Sequence, residues 1–200
     1  AVLKVLEEPG ENTLFLLVSQ NPGRLMATVR SRCQTMALAS PHADEAIDWL
    51  KQHCESPQQE LLLSLSAGAP LSALELSQNQ GLERRSLILT GLKRTAGRRM
   101  SATEVAQLWL KEEPASILDW LLGLIGDIVR CKMTGPNCKL INKDAKSLIS
   151  KVASRTTTEK LFAFIDKIHE YRLQLMAKTN PNQQLMYEDL LICWTGVVGD

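Results

Sequence analysis

The sequence is poor in aromatic residues and has almost no excess of charge of either sign. Phe, Trp and Tyr make up 4% of its 200 residues. Such a core, dominated by Leu and Ala, suits helices packed on helices better than a large β-sheet. With 23 Lys and Arg residues against 22 Asp and Glu residues, the chain lacks the basic excess typical of proteins that bind DNA through their own surface charge. Any DNA contact is therefore expected to be local or supplied by partners.

The cysteines show neither a metal-binding nor a disulfide pattern. No pair has C-x-x-C spacing, and Cys131 and Cys138 lie seven apart with no histidine nearby. A tetrahedral zinc site needs four converging ligands, so we expect no metal site. An odd number of cysteines without a secretion signal predicts reduced thiols and a cytoplasmic protein. The five cysteines are Cys33, Cys54, Cys131, Cys138 and Cys193.

Long apolar runs and glycine-rich phosphate-binding loops are also absent. The longest apolar segment, residues 117–129, is interrupted by Asp119 and Asp127. It is shorter than the roughly 20 apolar residues that span a bilayer. No G-x-x-x-x-G-K-[ST] loop occurs, and the three histidines are scattered. We expect these residues to bind no cofactor of their own.

The first forty residues alternate between helical and strand-like patterns. A helical pattern ends at Pro9, and the apolar run Leu14-Phe15-Leu16-Leu17-Val18 predicts a strand buried on both faces. Residues 34–38 alternate as a second short strand does. This order indicates an α/β architecture over residues 1–38. Because so short a segment does not close such a sheet alone, we expect the rest of that domain to precede Ala1.

After Ser40-Pro41 the chain is predicted to be entirely helical. Three short helices over residues 39–80 indicate a small bundle, with Pro70 favouring a helix start. A boundary is expected at Asn79-Gln80-Gly81. Longer helices then follow over residues 81–200, so the predicted fold class is mostly α. They are placed at about 82–95, 102–112, 115–133, 143–153, 157–178 and 184–196. Ser101 and Glu104 have the spacing of a capping box at the start of the second of these helices.

A joint pattern over about thirty residues resembles one known family. Its pieces are Leu6-Glu7-Glu8-Pro9, the apolar run 14–18 and Ser31-Arg32-Cys33. In this order and separation they resemble the AAA+ subunits of bacterial clamp loaders, which belong to the DNA polymerase III holoenzyme. The resemblance implies three parts: the C-terminal part of an AAA+ α/β domain (1–38), a three-helix lid (39–80) and a helical collar for oligomerisation (81–200).

The resemblance also implies a role for Ser31-Arg32-Cys33. In the family, the arginine of this motif reaches ATP bound by the neighbouring subunit and acts as an arginine finger. A guanidinium suits this role because it stays charged and offers a planar fork of donors to phosphate oxygens. The alternative is that Arg32 only pairs with a carboxylate. Cys33 is expected to be a small packed residue.

Ser19 stands at the end of the predicted strand, where the family carries a polar sensor of the γ-phosphate. The resemblance therefore makes Ser19 sensor-like. The alternative is a strand-terminal serine whose hydroxyl bonds to the backbone.

The lid departs from the ATP-hydrolysing pattern of the family. Those subunits carry a motif like G-S-x-R-D-A-L, whose arginine senses the nucleotide, and here residues 68–74 place Leu71 at that position. This departure implies a subunit of the delta-prime class, without intrinsic catalysis, within a DNA-directed DNA polymerase holoenzyme (a nucleotidyltransferase). The alternatives are an ATP-hydrolysing gamma/tau-type subunit, or an unrelated helical adaptor joined to a degenerate AAA+ domain.

The resemblance further implies the partners. They would be gamma/tau ATPase and delta-type subunits in a hetero-oligomer, with ATP bound by the neighbours. The sliding clamp and primed DNA would be reached through the complex, and no membrane would be involved.

One local basic cluster stands out from the balanced charge. Lys93-Arg94 and Arg98-Arg99 follow each other at the end of a predicted helix. One interpretation is a contact with DNA or a partner, and the other is a solvated helix end and loop.

Overall fold

The structure is a computed structural model that describes residues 2–19, 22–135, 137–177 and 179–199. The chain divides into two compact units, Ala1–Ser40 and Pro41–Asp200. In the first unit, helix α1 spans Val2–Glu7, a 3₁₀ turn spans Pro22–Arg24 and helix α2 spans Ala27–Arg30.

The two strands expected in the first unit do not form. Residues 13–19 and 34–40 are irregular, and Leu14 and Leu16 are each 82% exposed while Leu38 is 88% exposed. A strand needs a second strand to satisfy its backbone N–H and C=O groups. Among the described residues neither segment has such a partner, so the strand predictions are wrong for this structure.

The second unit begins with three short helices. They are α3 (Ala43–His53), α4 (Gln59–Leu65) and α5 (Pro70–Gln78). They share a small core of buried apolar residues: Ala46, Leu50, Cys54, Leu62, Leu63 and Ala73. Gly68, with φ of 84°, lies in the turn before α5, a backbone conformation that glycine adopts without steric cost.

The remaining helices surround a second, larger core. The helices are α6 (Gly81–Ala96), α7 (Ala102–Trp109), α8 (Pro114–Thr134), α9 (Lys146–Arg155), α10 (Thr158–Met176) and α11 (Gln183–Val198). A 3₁₀ turn, Lys143–Ala145, precedes α9. The predicted capping box at α7 is confirmed, because the Glu104 amide donates to the Ser101 hydroxyl and the Ser101 amide donates to the Glu104 carboxylate.

Helix α8 packs mainly against α9 and α10, whereas α11 packs against α6, α7 and α10. The buried residues of α8 include Ile117, Leu121, Leu124 and Ile128. Helices α6 and α11 are joined by a hydrogen bond, since the buried Trp194 indole N–H donates to the Leu92 carbonyl at 3.0 Å. In the described part of the chain, no helix combines the length and apolar character that crossing a membrane requires.

The passage from the first core to the second is short and tight. Gln80 has a left-handed backbone with φ of 53°, and α6 starts at the next residue. A Cβ at Gly81 would lie 2.6 Å from the Leu76 carbonyl oxygen. Glycine is therefore required where α5 turns into α6.

The prediction of a mostly helical chain is confirmed. The predicted helix over 157–178 corresponds to α10, and Lys178 lies outside the described residues. The assignment of residues 1–38, 39–80 and 81–200 to an AAA+ part, a lid and a collar stays a prediction.

Candidate functional site

Ser31-Arg32-Cys33 lies immediately after the short helix α2. Ser31 ends this helix, and its amide donates to the Ala27 carbonyl at 2.9 Å. The Arg32 amide donates to the Val29 carbonyl at 3.1 Å. The backbone of the motif is thereby fixed by the last turn of α2, which sets the direction in which the Arg32 side chain leaves the chain.

The Arg32 guanidinium has three defined partners. Its Nη1 donates to the Thr28 carbonyl at 2.8 Å and lies 3.4 Å from the Ser31 hydroxyl. Its Nη2 forms an ion pair with the carboxylate of Glu7, in α1. The side chains of Arg32 and Glu7 remain 33% and 46% exposed. In this structure Arg32 thus makes the carboxylate pair that was the alternative to a finger, yet its head group stays accessible to solvent.

Cys33 and Ser19, the other two residues of the predicted site, are placed differently. Cys33 is a partly buried free thiol, in agreement with a packing residue. Ser19 is exposed in the irregular segment that follows Thr13. The sensor-like role of Ser19 stays a prediction.

Leu71 lies in the first turn of α5 and is 70% exposed. An apolar side chain has no donor for a γ-phosphate oxygen. The position that the resemblance assigns to a sensing arginine is therefore occupied by an exposed residue without a hydrogen-bond donor in its side chain.

The structure also shows a buried polar network that sequence reasoning missed. The wholly buried Asp127 carboxylate of α8 accepts from the Asn142 amide at 2.7 Å and from Asn142 Nδ2 at 2.9 Å. Arg85, 2% exposed on α6, donates to Asn142 Oδ1 at 2.6 Å and pairs with Asp144. This network ties α6, α8 and the segment before α9 together. Its one sequence signal was a charged residue, Asp127, inside an apolar helix.

A second polar cluster joins α10 to α11. The Tyr171 hydroxyl donates to Asp189 Oδ2 at 2.6 Å, and Lys167 Nζ lies 3.0 Å from the same oxygen. Burial, together with the bond to Asp189, raises the pKa of Tyr171 to about 12. Burial pushes the pKa of Asp189 upward, but the bonds from Tyr171 and Lys167 outweigh it and hold the pKa below its usual value. The cluster fixes one helix against the other.

Metal-binding clusters are not found in the described parts of the chain. No group of three or more His, Cys, Asp or Glu side chains converges there as metal ligands would. The free thiols of Cys138 and Cys193 have a raised pKa, mainly because of burial, which disfavours the reactive thiolate. Among the residues of the predicted site, Arg32 is the one that presents a partly exposed charged group.

Two family models match the chain. The model described as DNA polymerase III, delta subunit, C terminal, matches residues 79–196, and the model described as DNA polymerase III, delta subunit, matches residues 1–42. The first match covers more than half of the chain. It includes helices α6 to α11, except for the last two residues of α11.

Curated relatives align with almost the whole chain. It is 31% identical to DNA polymerase III subunit delta' of Pseudomonas aeruginosa, over 100% of this chain and 62% of that protein. It is 34% identical to the Escherichia coli K12 subunit delta', over 96% of this chain and 57% of that protein. The Bacillus subtilis subunit delta' is 28% identical, over 96% and 60%.

The chain thus spans about 60% of the length of these relatives. The resemblance drawn from residues 6–33 is confirmed, because the model that matches residues 1–42 covers the same segment. The chain belongs to the DNA polymerase III delta-subunit family, and the curated proteins that it resembles along its length are delta' subunits.

Proposed function

We propose that this chain is part of a non-motor subunit of the DNA polymerase III clamp loader and supplies Arg32 as an arginine finger to a neighbouring ATPase subunit. The observation that carries the proposal is the position of the Arg32 guanidinium. It is anchored to the Thr28 carbonyl at 2.8 Å, and a third of the side chain remains exposed. The head group is therefore oriented before any phosphate arrives.

The Glu7 pair does not stand against this role. An ion pair between partly exposed side chains contributes about 0–1 kcal/mol. A nucleotide phosphate carries more charge than one carboxylate and accepts the same fork of donors. Glu7 would therefore hold the guanidinium in the free subunit and give it up to the neighbour's nucleotide in the assembly.

Leu71 and the relatives support the non-motor assignment over a gamma/tau-type ATPase. Leu71 offers no sensing guanidinium at the start of α5, and the curated relatives named above are all delta' subunits. In the proposed assembly, ATP is bound by neighbouring gamma/tau subunits and this chain needs no cofactor. The larger helical core would be the collar that packs beside equivalent domains, including that of a delta-type subunit. The complex would load the sliding clamp onto primed DNA in the cytoplasm.

The test is the DNA- and clamp-stimulated ATPase rate of a reconstituted loader that contains the full-length gene product carrying these residues. Arg32→Ala is expected to lower turnover by about tenfold or more, with assembly intact by gel filtration. Arg30→Ala is the matched control, since Arg30 is an exposed arginine of α2 two residues away. We expect it to leave turnover within about twofold.

Glu7→Gln separates the finger from a purely structural role. If Arg32 matters only through its pair with Glu7, Glu7→Gln will lower turnover as much as Arg32→Ala does. If Arg32 is a finger, Glu7→Gln will keep turnover or raise it. Unchanged turnover in an intact Arg32→Ala complex would refute the finger. Failure of the wild-type protein to enter the complex would refute the clamp-loader assignment.

A further inference from the structure

The basic cluster at the end of α6 is part of a larger groove. The groove has a volume of about 1050 Å³ and is lined by the end of α6, the loop that follows α6, one face of α9 and the end of α11. Six of its lining residues are cationic, and no acidic side chain occurs among the described residues that line it. The chain as a whole carries a net charge of +1, so this concentration of positive charge is local. The six are Lys93, Arg94, Arg98, Arg99, Lys151 and Arg155.

Five of these cations are available to a ligand. Lys93, Arg94, Arg99, Lys151 and Arg155 are exposed and form no ion pair with a described residue. The one polar contact described for the Arg94 side chain is a weak one, 3.5 Å to the Met100 sulfur. Other cations of this unit, among them Arg85, Lys167 and Arg172, each have a carboxylate partner.

The arrangement suits a chain of phosphates better than a single anion. Lys151 and Arg155 are four residues apart on α9, so they lie on the same face about 6 Å apart along the axis. Lys93 and Arg94 approach from a different helix, and Arg99 from the loop between α6 and α7. Positive charges therefore line the groove from both sides along a length greater than one phosphate group.

The lining also indicates how such a ligand would be bound. No aromatic side chain lines the groove among the described residues, so bases would find no stacking surface. Contacts would go to the sugar–phosphate backbone, which gives binding without sequence preference. A single nucleotide, which needs contacts to its base for affinity, fits this surface less well than a polymer does.

The geometry points to direct binding of the DNA backbone in this groove. The choice of DNA as the polyanion follows from the family, whose members are DNA polymerase III subunits. The inference goes beyond the proposed function, in which DNA is reached only through other subunits, and it does not involve Arg32. The competing explanation is that the cations only offset the carbonyl ends of α6 and α9. That explanation covers Lys93, Arg94 and Arg155, which lie in the last turns, but does not cover Arg99 in the loop.

The test is fluorescence anisotropy of a labelled oligothymidine of about 20 nucleotides titrated with this chain at low salt. Raised to physiological salt, the titration is expected to give a dissociation constant on the order of 10⁻⁵ M, as for non-specific DNA binding, and binding is tighter at low salt. Five phosphate contacts predict that log K falls with log salt with a slope of about −3.5 for a single strand.

A matched pair of double variants locates the site. Arg99→Glu/Lys151→Glu changes two groove residues, and Lys111→Glu/Lys160→Glu makes the same change in net charge at exposed positions outside it. The groove variant is expected to bind at least about tenfold more weakly with a shallower salt slope, while the control stays within about threefold. Circular dichroism melts check folding, and Arg99→Gln/Lys151→Gln replaces the groove variant if it unfolds.

Three results would overturn the inference. The first is an equal loss of DNA affinity in both double variants, which would mean that only total charge matters. The second is binding of polyglutamate as tight as that of the oligonucleotide, which would mean no selectivity for phosphates. The third is no binding of the oligonucleotide by the wild-type chain. Arg32→Ala is expected to bind DNA as wild type does. Failure of this inference is therefore distinguishable from failure of the finger.

Discussion

Removing the carboxylate of Asp127 should destabilise the larger core more than any other single truncation of an acidic side chain. Asp127 is fully buried in α8 and accepts from two buried donors of Asn142, at 2.7 and 2.9 Å. It also accepts from the Ile141 amide at 3.2 Å and pairs with Arg130. Ile141 is 38% exposed and the Arg130 side chain 39% exposed, so in Asp127→Ala these two groups are rehydrated at little cost.

The two donors of Asn142 are not rehydrated, because Asn142 is only 2% exposed. Each buried donor left without a partner costs about 1–3 kcal/mol, and breaking a buried charged network costs about 3–5 kcal/mol. We therefore expect Asp127→Ala to lower the free energy of unfolding by about 3–5 kcal/mol. Asp127→Asn keeps one acceptor oxygen and should lose less.

Urea denaturation followed by circular dichroism measures these losses, with the slope of the transition checked for two-state behaviour. Asp119→Ala is the matched control, since Asp119 lies on the same helix, is 56% exposed and pairs with Arg172 at 3.2 Å. We expect that change to cost less than about 1 kcal/mol. Equal losses for the two alanine variants would refute the network as a source of stability.

Further predictions concern glycine and tyrosine positions. Gly91→Ala should lower the free energy of unfolding by about 1–2 kcal/mol, because its Cβ would lie 2.6 Å from Val105 Cγ1. Gly126→Ala, which is also in a helix but has open space around it, should raise the free energy of unfolding by about 0.5–1 kcal/mol. Equal effects of the two variants in urea denaturation would disprove the packing argument. Tyr187→Phe should raise the stability by about 1 kcal/mol, because its buried hydroxyl has no described partner; a loss would mean that the hydroxyl is satisfied. Burial and the bond to Asp189 raise the pKa of Tyr171 to about 12 in the folded protein, above the unfolded value of about 10. The stability that Tyr171 contributes is therefore complete below about pH 10 and is lost as the pH rises towards 12. The stability difference between wild type and Tyr171→Phe should therefore shrink over that range, and a constant difference would contradict the assignment.

Local signals in the sequence predicted most of the helices. Pro70 marked the start of α5, and the spacing of Ser101 and Glu104 marked the start of α7, because both signals act within one helical turn. The strand predicted at Leu14–Val18 failed for the opposite reason. An apolar run becomes a strand only when another strand pairs with it, and the described residues provide none.

The site was predicted less completely than the helices. The motif identified Arg32, but its pair with Glu7 depends on how α1 and α2 pack, which the spacing of the two residues does not encode. The buried network was not predicted because its members lie far apart in the sequence. Arg85 is 57 residues from Asn142 and 59 residues from Asp144, and it contacts both only in the folded chain. Likewise, Lys151 and Arg155 join the basic cluster at the end of α6 only through the packing of α9.

The most direct test of the central proposal is single-turnover ATP hydrolysis in the assembled loader, measured together with the affinity of the neighbouring subunit for ATP. A finger acts on the transition state, so Arg32→Ala should slow hydrolysis by about tenfold or more and change ATP affinity by no more than about threefold. Hydrolysis at the wild-type rate in an intact Arg32→Ala complex would contradict the proposal, and so would a loss that appears entirely in ATP affinity.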